Sequence, residues 1–160
     1  MKHIKTILIR PPLTITQDSM DYFSIPIPIG LGYIASYLER YGYEVNILDA
    51  LALGWNKKNK INDGLIQIGL CDEEITGYIK NLKPDIVGIT NPYTCQVNNM
   101  YKIAYLVKKI DPSIAVVVGG VHPTVAPIEC LMNTNIDFLV IGEGEQTTLE
   151  LVRYLSGEIK

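Results

Sequence analysis

Short runs of apolar, β-branched residues alternate along the chain with longer stretches in which apolar residues recur every three or four positions. The short runs are typical of strands buried on both faces of a sheet, and the longer stretches are typical of amphipathic helices. The predicted strands span residues 4–9, 44–49, 85–90, 114–118 and 138–141. A predicted helix follows each strand, and this alternation predicts a doubly wound α/β domain with a five-stranded parallel sheet flanked by helices.

The strand order follows from the rules for crossover connections. We expect the order 2-1-3-4-5, as in flavodoxin-like sheets of the Rossmann class, with right-handed crossovers. The winding direction then reverses between the first and third strands, and ligands bind beyond the carboxyl ends of the strands. Residues 1–160 form one domain in this prediction. Two stretches do not fit the alternation, and we predict a long loop at residues 13–27 and a surface excursion at residues 50–69.

The composition suits a compact domain and excludes several partners. Of the 160 residues, 48% are hydrophobic, and the formal net charge of -3 comes without a basic tract, so nucleic acid is not an expected partner. The longest apolar runs are strand-sized and the start of the chain lacks a signal-peptide pattern, so no membrane partner is expected. The three cysteines are widely spaced and form neither a disulfide framework nor a metal-ligand pattern, and we expect a reduced, cytoplasmic location.

The loop after the first strand argues against the common nucleotide sites of doubly wound domains. It reads Arg10-Pro-Pro-Leu13, whereas a dinucleotide site needs Gly-x-Gly-x-x-Gly directly after a strand. No Walker phosphate loop is present, and prolines remove the N–H donors that a flavodoxin-type phosphate cradle needs. The ends of the first and third strands, Arg10 and Thr90-Asn91, also lack the clustered acids of a phosphoacceptor receiver domain.

Two loops at the expected ligand edge carry unusual residues. Gly119 and Gly120 end the fourth strand, and Thr90 and Thr94 bracket the loop after the third. Paired glycines let the backbone lie flat against a large planar or elongated group, to which the threonine hydroxyls can hydrogen-bond. The same residues can equally be tight-turn glycines and turn-stabilising threonines. The spacing leaves both interpretations open.

Four segments in register resemble the cobalamin-binding domains that precede radical S-adenosylmethionine (SAM) domains. The first is Arg10-Pro-Pro12 with a long loop and the run at residues 28–45, which begins Pro-Ile-Gly-Leu-Gly-Tyr. The others are Asp-Ile-Val-Gly-Ile-Thr at residues 85–90, Val-Gly-Gly-Val-His-Pro-Thr at residues 118–124 and Ile-Gly-Glu-Gly-Glu at residues 141–145. Together they cover nearly the whole chain.

The resemblance implies a cleft for the nucleotide tail of cobalamin. In such domains a Gly-Gly pair after the fourth strand and a Ser-x-Leu segment after the third line this cleft. Gly119 and Gly120 match the pair, whereas Thr90-Asn-Pro92 keeps only the hydroxyl of the other motif. The Asp-x-His-x-x-Gly motif that supplies a cobalt ligand in many relatives is missing from residues 10–16. The family then implies a base-off corrinoid whose lower face is open to water or covered by a loop side chain.

The same resemblance predicts the site residues, with no catalytic residue and no metal ligand supplied by this chain. His122 is expected to be structural rather than a cobalt ligand, and His3 is expected at the opposite end of the sheet. Glu143 and Glu145 are expected as helix-dipole partners rather than as acid–base groups. The predicted cofactor-binding residues are Arg10, Pro11, Thr90, Asn91, Pro92, Tyr93, Thr94, Gly119, Gly120, Val121, His122, Gly142, Glu143 and Gly144.

The resemblance also implies a larger parent enzyme. The chain has no Cys-x-x-x-Cys-x-x-Cys run, so a 4Fe-4S cluster and S-adenosylmethionine are expected in a radical SAM barrel that follows Lys160 in the same polypeptide. The expected reaction is methyl transfer from cobalamin to an unactivated carbon, with the cofactors carrying the chemistry. Two alternatives stay open: a stand-alone corrinoid carrier of methyl groups, and a degenerate domain that binds no cobalamin.

Overall fold

A computed structural model describes residues 4–22 and 25–159, except for the side chains of residues 20–22. The described strands form two sheets. The strands are β1 (Lys5–Arg10), β2 (Leu13–Thr16), β3 (Glu44–Asp49), β4 (Lys58–Asn62), β5 (Leu65–Ile68), β6 (Ile86–Thr90), β7 (Ala115–Gly119) and β8 (Phe138–Leu139). The larger sheet has five parallel strands in the order β3-β1-β6-β7-β8. This is the predicted order 2-1-3-4-5, and the fold class is confirmed.

Helices cover both faces of the parallel sheet, as the hydrophobic pattern predicts. The described helices are α1 (Ile29–Arg40), α2 (Ala50–Leu53), α3 (Asp72–Leu82), α4 (Val97–Ile110), α5 (Val121–Val125), α6 (Pro127–Leu131) and α7 (Glu145–Ser156), with short 3-10 helices at Gln17–Tyr22 and Thr94–Gln96. None of the helices in the described part of the chain is long and apolar enough to cross a bilayer.

Alternate residues of each strand point to opposite sides of the sheet and so build two cores. On one side Val87, Ile89 and Val118 pack with the apolar stripes of α3 and α4. On the other side Ile86 and Val117 pack with α1 and α7. The second side has fewer large side chains near the carboxyl ends of its strands, because glycine occupies positions 88 and 119. This difference makes room for a cavity between the sheet, α1 and α7.

Two predictions about irregular stretches were wrong. Residues 13–27 and 50–69 do not form a plain loop and a surface excursion, because β2, β5 and β4 pair in that order as a small antiparallel sheet. Buried Leu13, Ile66 and Ile68 give this sheet a core of its own. Asn99, on α4, fastens it to the main domain by donating a hydrogen bond of 3.0 Å from Nδ2 to the carbonyl of Pro12.

Element ends follow the local chemistry of the sequence. Cys71 is the N-cap of α3, and its N–H donates to the Glu74 carboxylate at 3.1 Å. The last strand is shorter than predicted and ends at Leu139, although the Val140 N–H still donates to the Val118 carbonyl at 2.9 Å. The short helix α5 was not predicted, and it begins directly after the glycine pair Gly119 and Gly120.

Candidate functional site

The loops after β6 and β7 lie side by side at the carboxyl edge of the parallel sheet. Thr90 is the register partner of Gly119, and the N–H of Asn91 donates to the Gly119 carbonyl at 2.8 Å. The N–H of His122 in turn donates to the Asn91 carbonyl at 3.2 Å. These backbone bonds bring together the two loops that the sequence singled out.

A cavity of about 180 Å³, which we term the slot, opens between these loops and runs along the sheet beneath α1 and α7. Its floor is formed by Thr6 and Leu8 of β1, Gly88 of β6 and Val117 of β7. Its side walls include Leu31 and Ile34 of α1 and Thr148 of α7, while Thr90, Gly119 and Gly120 surround its mouth. For comparison, a cavity of about 150 Å³ in a protein interior holds a benzene ring. The slot therefore has the volume for a small flat aromatic group.

Glycines keep the slot open for two different reasons. A Cβ added to Gly119 would contact only Val140, at 3.6 Å from its Cβ, so the fold tolerates a side chain there and the space stays free. Gly120 has φ +110°, and a Cβ there would lie 2.8 Å from the carbonyl oxygen of Asn91. Gly120 is therefore required by the backbone, whereas the missing side chain of Gly119 adds directly to the slot.

A second cavity of about 390 Å³, the rim cavity, adjoins the mouth of the slot and shares Thr90 and Gly120 with it. Arg10, Pro11 and Tyr93 are among its lining residues. Four of its apolar lining residues, Ile27, Ile29, Tyr93 and Val121, are each at least half exposed. An exposed apolar rim of this kind marks a binding surface.

Arg10 is a fixed part of this edge rather than a free cation. Its Nε donates to Oδ1 of Asp49 at 2.7 Å, Nη2 also bonds to the Asp49 carboxylate, and Nη1 donates to the carbonyl of Pro26. Only 7% of Arg10 is exposed. The predicted contact residue therefore holds the segment before α1 against the end of β1, and Pro11 beside it is half-buried at the rim.

His122 is buried, with 1% of its surface exposed. Its Nδ1 lies 3.2 Å from Oγ1 of Thr94, and its Nε2 has no hydrogen-bond partner among the described residues. No cluster of three metal-ligating side chains occurs in the part of the chain that the structure describes. The Nδ1 contact joins α5 to the loop after β6, and His3 lies outside the described residues.

The loop after β8 completes the mouth of the slot. Gly142 has φ +74°, and its N–H donates to Oγ1 of Thr124 at 3.1 Å, while the same hydroxyl donates to the Gly120 carbonyl at 2.8 Å. Thr124 therefore links the two glycine loops. Gly144 precedes α7, and Glu145 lies in its first turn, where a carboxylate interacts favourably with the helix dipole.

Several residues that shape the site were not predicted from the sequence. Gly88 left a readable signal, since glycine inside an otherwise β-branched strand often marks the close approach of a ligand or of another backbone. No sequence feature indicated Thr6, Thr148 or the side chains of α1, because only the packing of α1 and α7 on the sheet brings them together. Of the predicted residues, Pro92 and Thr94 are exposed outside the slot, and Asn91 lies buried beneath the rim cavity.

Comparison with known proteins gives one family. A family model described as the B12 binding domain matches residues 22–152. The chain is 34% identical over 160 residues to the cytidylyl-2-hydroxyethylphosphonate methyltransferase of Streptomyces wedmorensis, covering 99% of this chain and 30% of that protein. It is 34% identical over 127 residues to the anaerobic magnesium-protoporphyrin IX monomethyl ester cyclase of Rubrivivax gelatinosus, covering 78% of this chain and 20% of that protein. The chain thus spans no more than 30% of the length of these relatives.

Solved structures share the fold. The cobalamin-dependent S-adenosylmethionine radical enzyme OxsB, with aqua-cobalamin and S-adenosylmethionine bound, superposes with a TM-score of 0.74 at 20% identity, covering 99% of this chain and 20% of that chain. A cobalamin-binding protein from Desulfitobacterium hafniense gives a TM-score of 0.62 at 16% identity, covering 94% of this chain and 58% of that chain. The receiver domain of a Pseudomonas aeruginosa sensor histidine kinase gives 0.57 at 11% identity, covering 96% of this chain and 98% of that chain.

Proposed function

Because this chain belongs to the B12-binding domain family, we propose that it binds cobalamin with the nucleotide tail in the slot and the corrin ring over the rim cavity. The chain is a B12-binding domain with methyltransferase relatives. The observation that carries the proposal is the open slot, whose mouth lies between Thr90 and Gly119 at the carboxyl edge of the sheet.

The residues around the slot and the rim cavity fit cobalamin in three respects. The slot is largely apolar and of a size for a flat aromatic ring. Thr6 Oγ1, in a residue that borders the slot, and Asn91 Nδ2, beneath the rim, are buried without hydrogen-bond partners among the described residues, and such groups at a cavity often mark a ligand site. The exposed apolar side chains at the rim, including Tyr93 and Val121, suit the broad face of a corrin ring.

Within this proposal the predicted residues have distinct roles. Gly119 and Gly120 give the tail its passage, and Thr90 offers a hydroxyl at the mouth. Arg10 holds the segment before α1 in place, and Pro11, Pro92, Tyr93 and Val121 surround the corrin. Gly142, Glu143 and Gly144 close the far side of the mouth. When bound, cobalamin supplies a cobalt-borne methyl group. His122 keeps its contact with Thr94, and in this proposal the chain supplies no cobalt ligand.

The activity of the whole protein is part of the same proposal. We propose that the whole protein is a cobalamin-dependent radical SAM enzyme, a methyltransferase that acts on an unactivated carbon. The methyltransferase of Streptomyces wedmorensis supports this, because 99% of the chain aligns with it. The 4Fe-4S cluster and S-adenosylmethionine would bind in a radical SAM domain of the same polypeptide, and the greater length of the Streptomyces methyltransferase, of which the chain covers 30%, supports this.

Titration of the chain with hydroxocobalamin, followed by visible absorption, tests the proposal. A bound, base-off spectrum without a histidine ligand is expected. A histidine-ligated spectrum would instead favour the stand-alone methyl carrier, and no binding would favour a domain that has lost the cofactor. Removal of unbound corrinoid by gel filtration before each spectrum separates retained cofactor from free cofactor.

A further inference from the structure

The slot and the rim cavity meet at a junction that we term the passage. Four described residues line both cavities and so border it, namely Gly30, Leu31, Thr90 and Gly120. Gly30 and Leu31 lie in the first turn of α1, Thr90 is the last residue of β6, and Gly120 directly precedes α5. A nucleotide tail that lies in the slot while its corrin lies over the rim cavity must cross this passage.

The face of α1 that carries Gly30 is turned towards the slot. Residues four apart lie on the same face of a helix, so position 30 shares its face with Ile34, which lines the slot. Ile34 packs against the residue before α7, since its Cδ1 lies 2.8 Å from the place that a Cβ on Gly144 would take. The space between α1 and α7 is therefore filled at the level of Ile34. One turn nearer the start of α1, about 5 Å away, position 30 has no side chain and the passage stays open.

The fold itself would accept a side chain at position 30. Gly30 is exposed, and a Cβ added there would have no atom within 4 Å. Glycine is also a poorer helix former than alanine or leucine. Gly32 has the same freedom, but it shares its face with exposed Ser36 and lines neither cavity. The two glycines of α1 thus differ in one respect, because only Gly30 borders the passage.

We propose that Gly30 sets the width of the passage and so determines whether a corrinoid can bind with its nucleotide tail in the slot. This rests on the proposed function, because it assigns a specificity-determining residue to the same site. A side chain at position 30 would narrow the passage from the side of α1. It would hinder the tail, whereas the corrin ring would keep its place over the larger rim cavity.

Absorption titrations of the full chain with hydroxocobalamin and with diaquacobinamide test the proposal. Cobinamide has the corrin ring but no nucleotide tail, so the ratio of the two Kd values reports the contribution of the tail. The free energy of detaching the base from cobalt is a property of free cobalamin, and it cancels when this ratio is compared between variants. The variants are Gly30→Leu and, as a matched control on the same helix, Gly32→Leu. Thermal melts of the ligand-free variants verify folding, and both should melt no lower than wild type, since leucine is the better helix former.

Gly30→Leu should weaken the binding of cobalamin relative to cobinamide at least about tenfold, because burial of an aromatic group contributes that much or more. Gly30→Ala should give a smaller loss in the same direction, and it replaces the leucine variant if that one fails to fold. Gly32→Leu should keep the wild-type ratio.

An unchanged ratio in the folded Gly30 variants would overturn the proposal and leave the proposed function standing, provided that wild type binds cobalamin. An equal loss for both corrinoids would also overturn it, since position 30 would then act on the corrin and not on the tail. The same loss in Gly32→Leu would overturn it as well, because the effect would then not depend on the passage. If wild type binds no cobalamin, the proposed function and this proposal are both overturned.

Discussion

The Arg10–Asp49 pair at the rim allows the sharpest stability prediction. The side chains of Arg10 and Asp49 are 8% and 18% exposed, so solvent screens them little. The guanidinium is held by two bonds to the Asp49 carboxylate and a third to the Pro26 carbonyl. A buried cation with this arrangement depends on its counter-charge.

Asp49→Asn removes that counter-charge and little else. Oδ1 of Asp49 also caps α2 by accepting a bond of 2.9 Å from the Ala52 N–H, and asparagine caps helices about as well as aspartate. Breaking one partner of a buried pair costs about 3–5 kcal/mol, and the partial exposure of Asp49 favours the lower end, about 3 kcal/mol. For a chain of this size that corresponds to a Tm lower by roughly 6–12 °C.

Urea denaturation followed by circular dichroism measures this change. The midpoint should fall while the m-value stays the same, because the unfolded surface is unchanged. Asp63→Asn is the matched control, since Asp63 pairs with Lys60 in a fully exposed position and such pairs contribute little. If Asp49→Asn proves as mild as Asp63→Asn, the guanidinium does not depend on this carboxylate and our view of the rim is wrong.

Three further predictions concern single residues. Gly120→Ala should lower the free energy of unfolding by more than about 1 kcal/mol in urea denaturation, because φ is +110° and the new Cβ would lie 2.8 Å from the Asn91 carbonyl oxygen. Gly142→Ala, with open space around it, should lower that free energy less. Equal losses for the two variants would contradict this reasoning. His122→Gln should leave the visible spectrum of bound hydroxocobalamin unchanged, whereas a shifted spectrum would make His122 a cobalt ligand. The Lys57 ammonium and the Cys71 N–H lower the pKa of the Glu74 carboxyl in the folded chain. The ionised Glu74 carboxylate therefore stabilises the fold fully above the ordinary glutamate pKa, and this stabilisation is lost as the pH falls through the lowered pKa of the folded state. The stability difference between wild type and Glu74→Gln should therefore disappear in an acidic pH series, and a constant difference would argue against this cause.

The parallel sheet was predictable because its strands and helices have clear hydrophobic periods. The small antiparallel sheet was not, since every residue of β4 (Lys58–Asn62) is exposed and leaves no apolar alternation. Its partner β5 has only four residues, and the bonds that attach the sheet, such as Asn99 to Pro12, join positions far apart in sequence. Tertiary contacts of this kind produce no pattern in the local sequence from which they could be predicted.

The edge that carries the site was predictable for a geometric reason. Parallel strands bring all their carboxyl ends to one side, so the loops at Thr90 and Gly119 had to meet. The shape of the slot was not predictable, because it depends on how side chains of α1 and α7 pack beside the sheet. A threonine inside a strand, such as Thr6, has no distinguishing feature in the sequence, and only the structure shows that it borders the slot.

The most direct test of the central claim is a hydroxocobalamin titration of Gly119→Leu beside Gly77→Leu. The leucine at position 119 should fit the strand and fill the slot, whereas position 77 lies on α3, which packs against the opposite face of the sheet and has open space around it. Thermal melts of both variants verify that they are folded. Affinity should fall at least about tenfold for Gly119→Leu, a loss of 1.4 kcal/mol or more, and stay near wild type for Gly77→Leu. Equal affinities of the two folded variants would contradict a nucleotide tail in the slot.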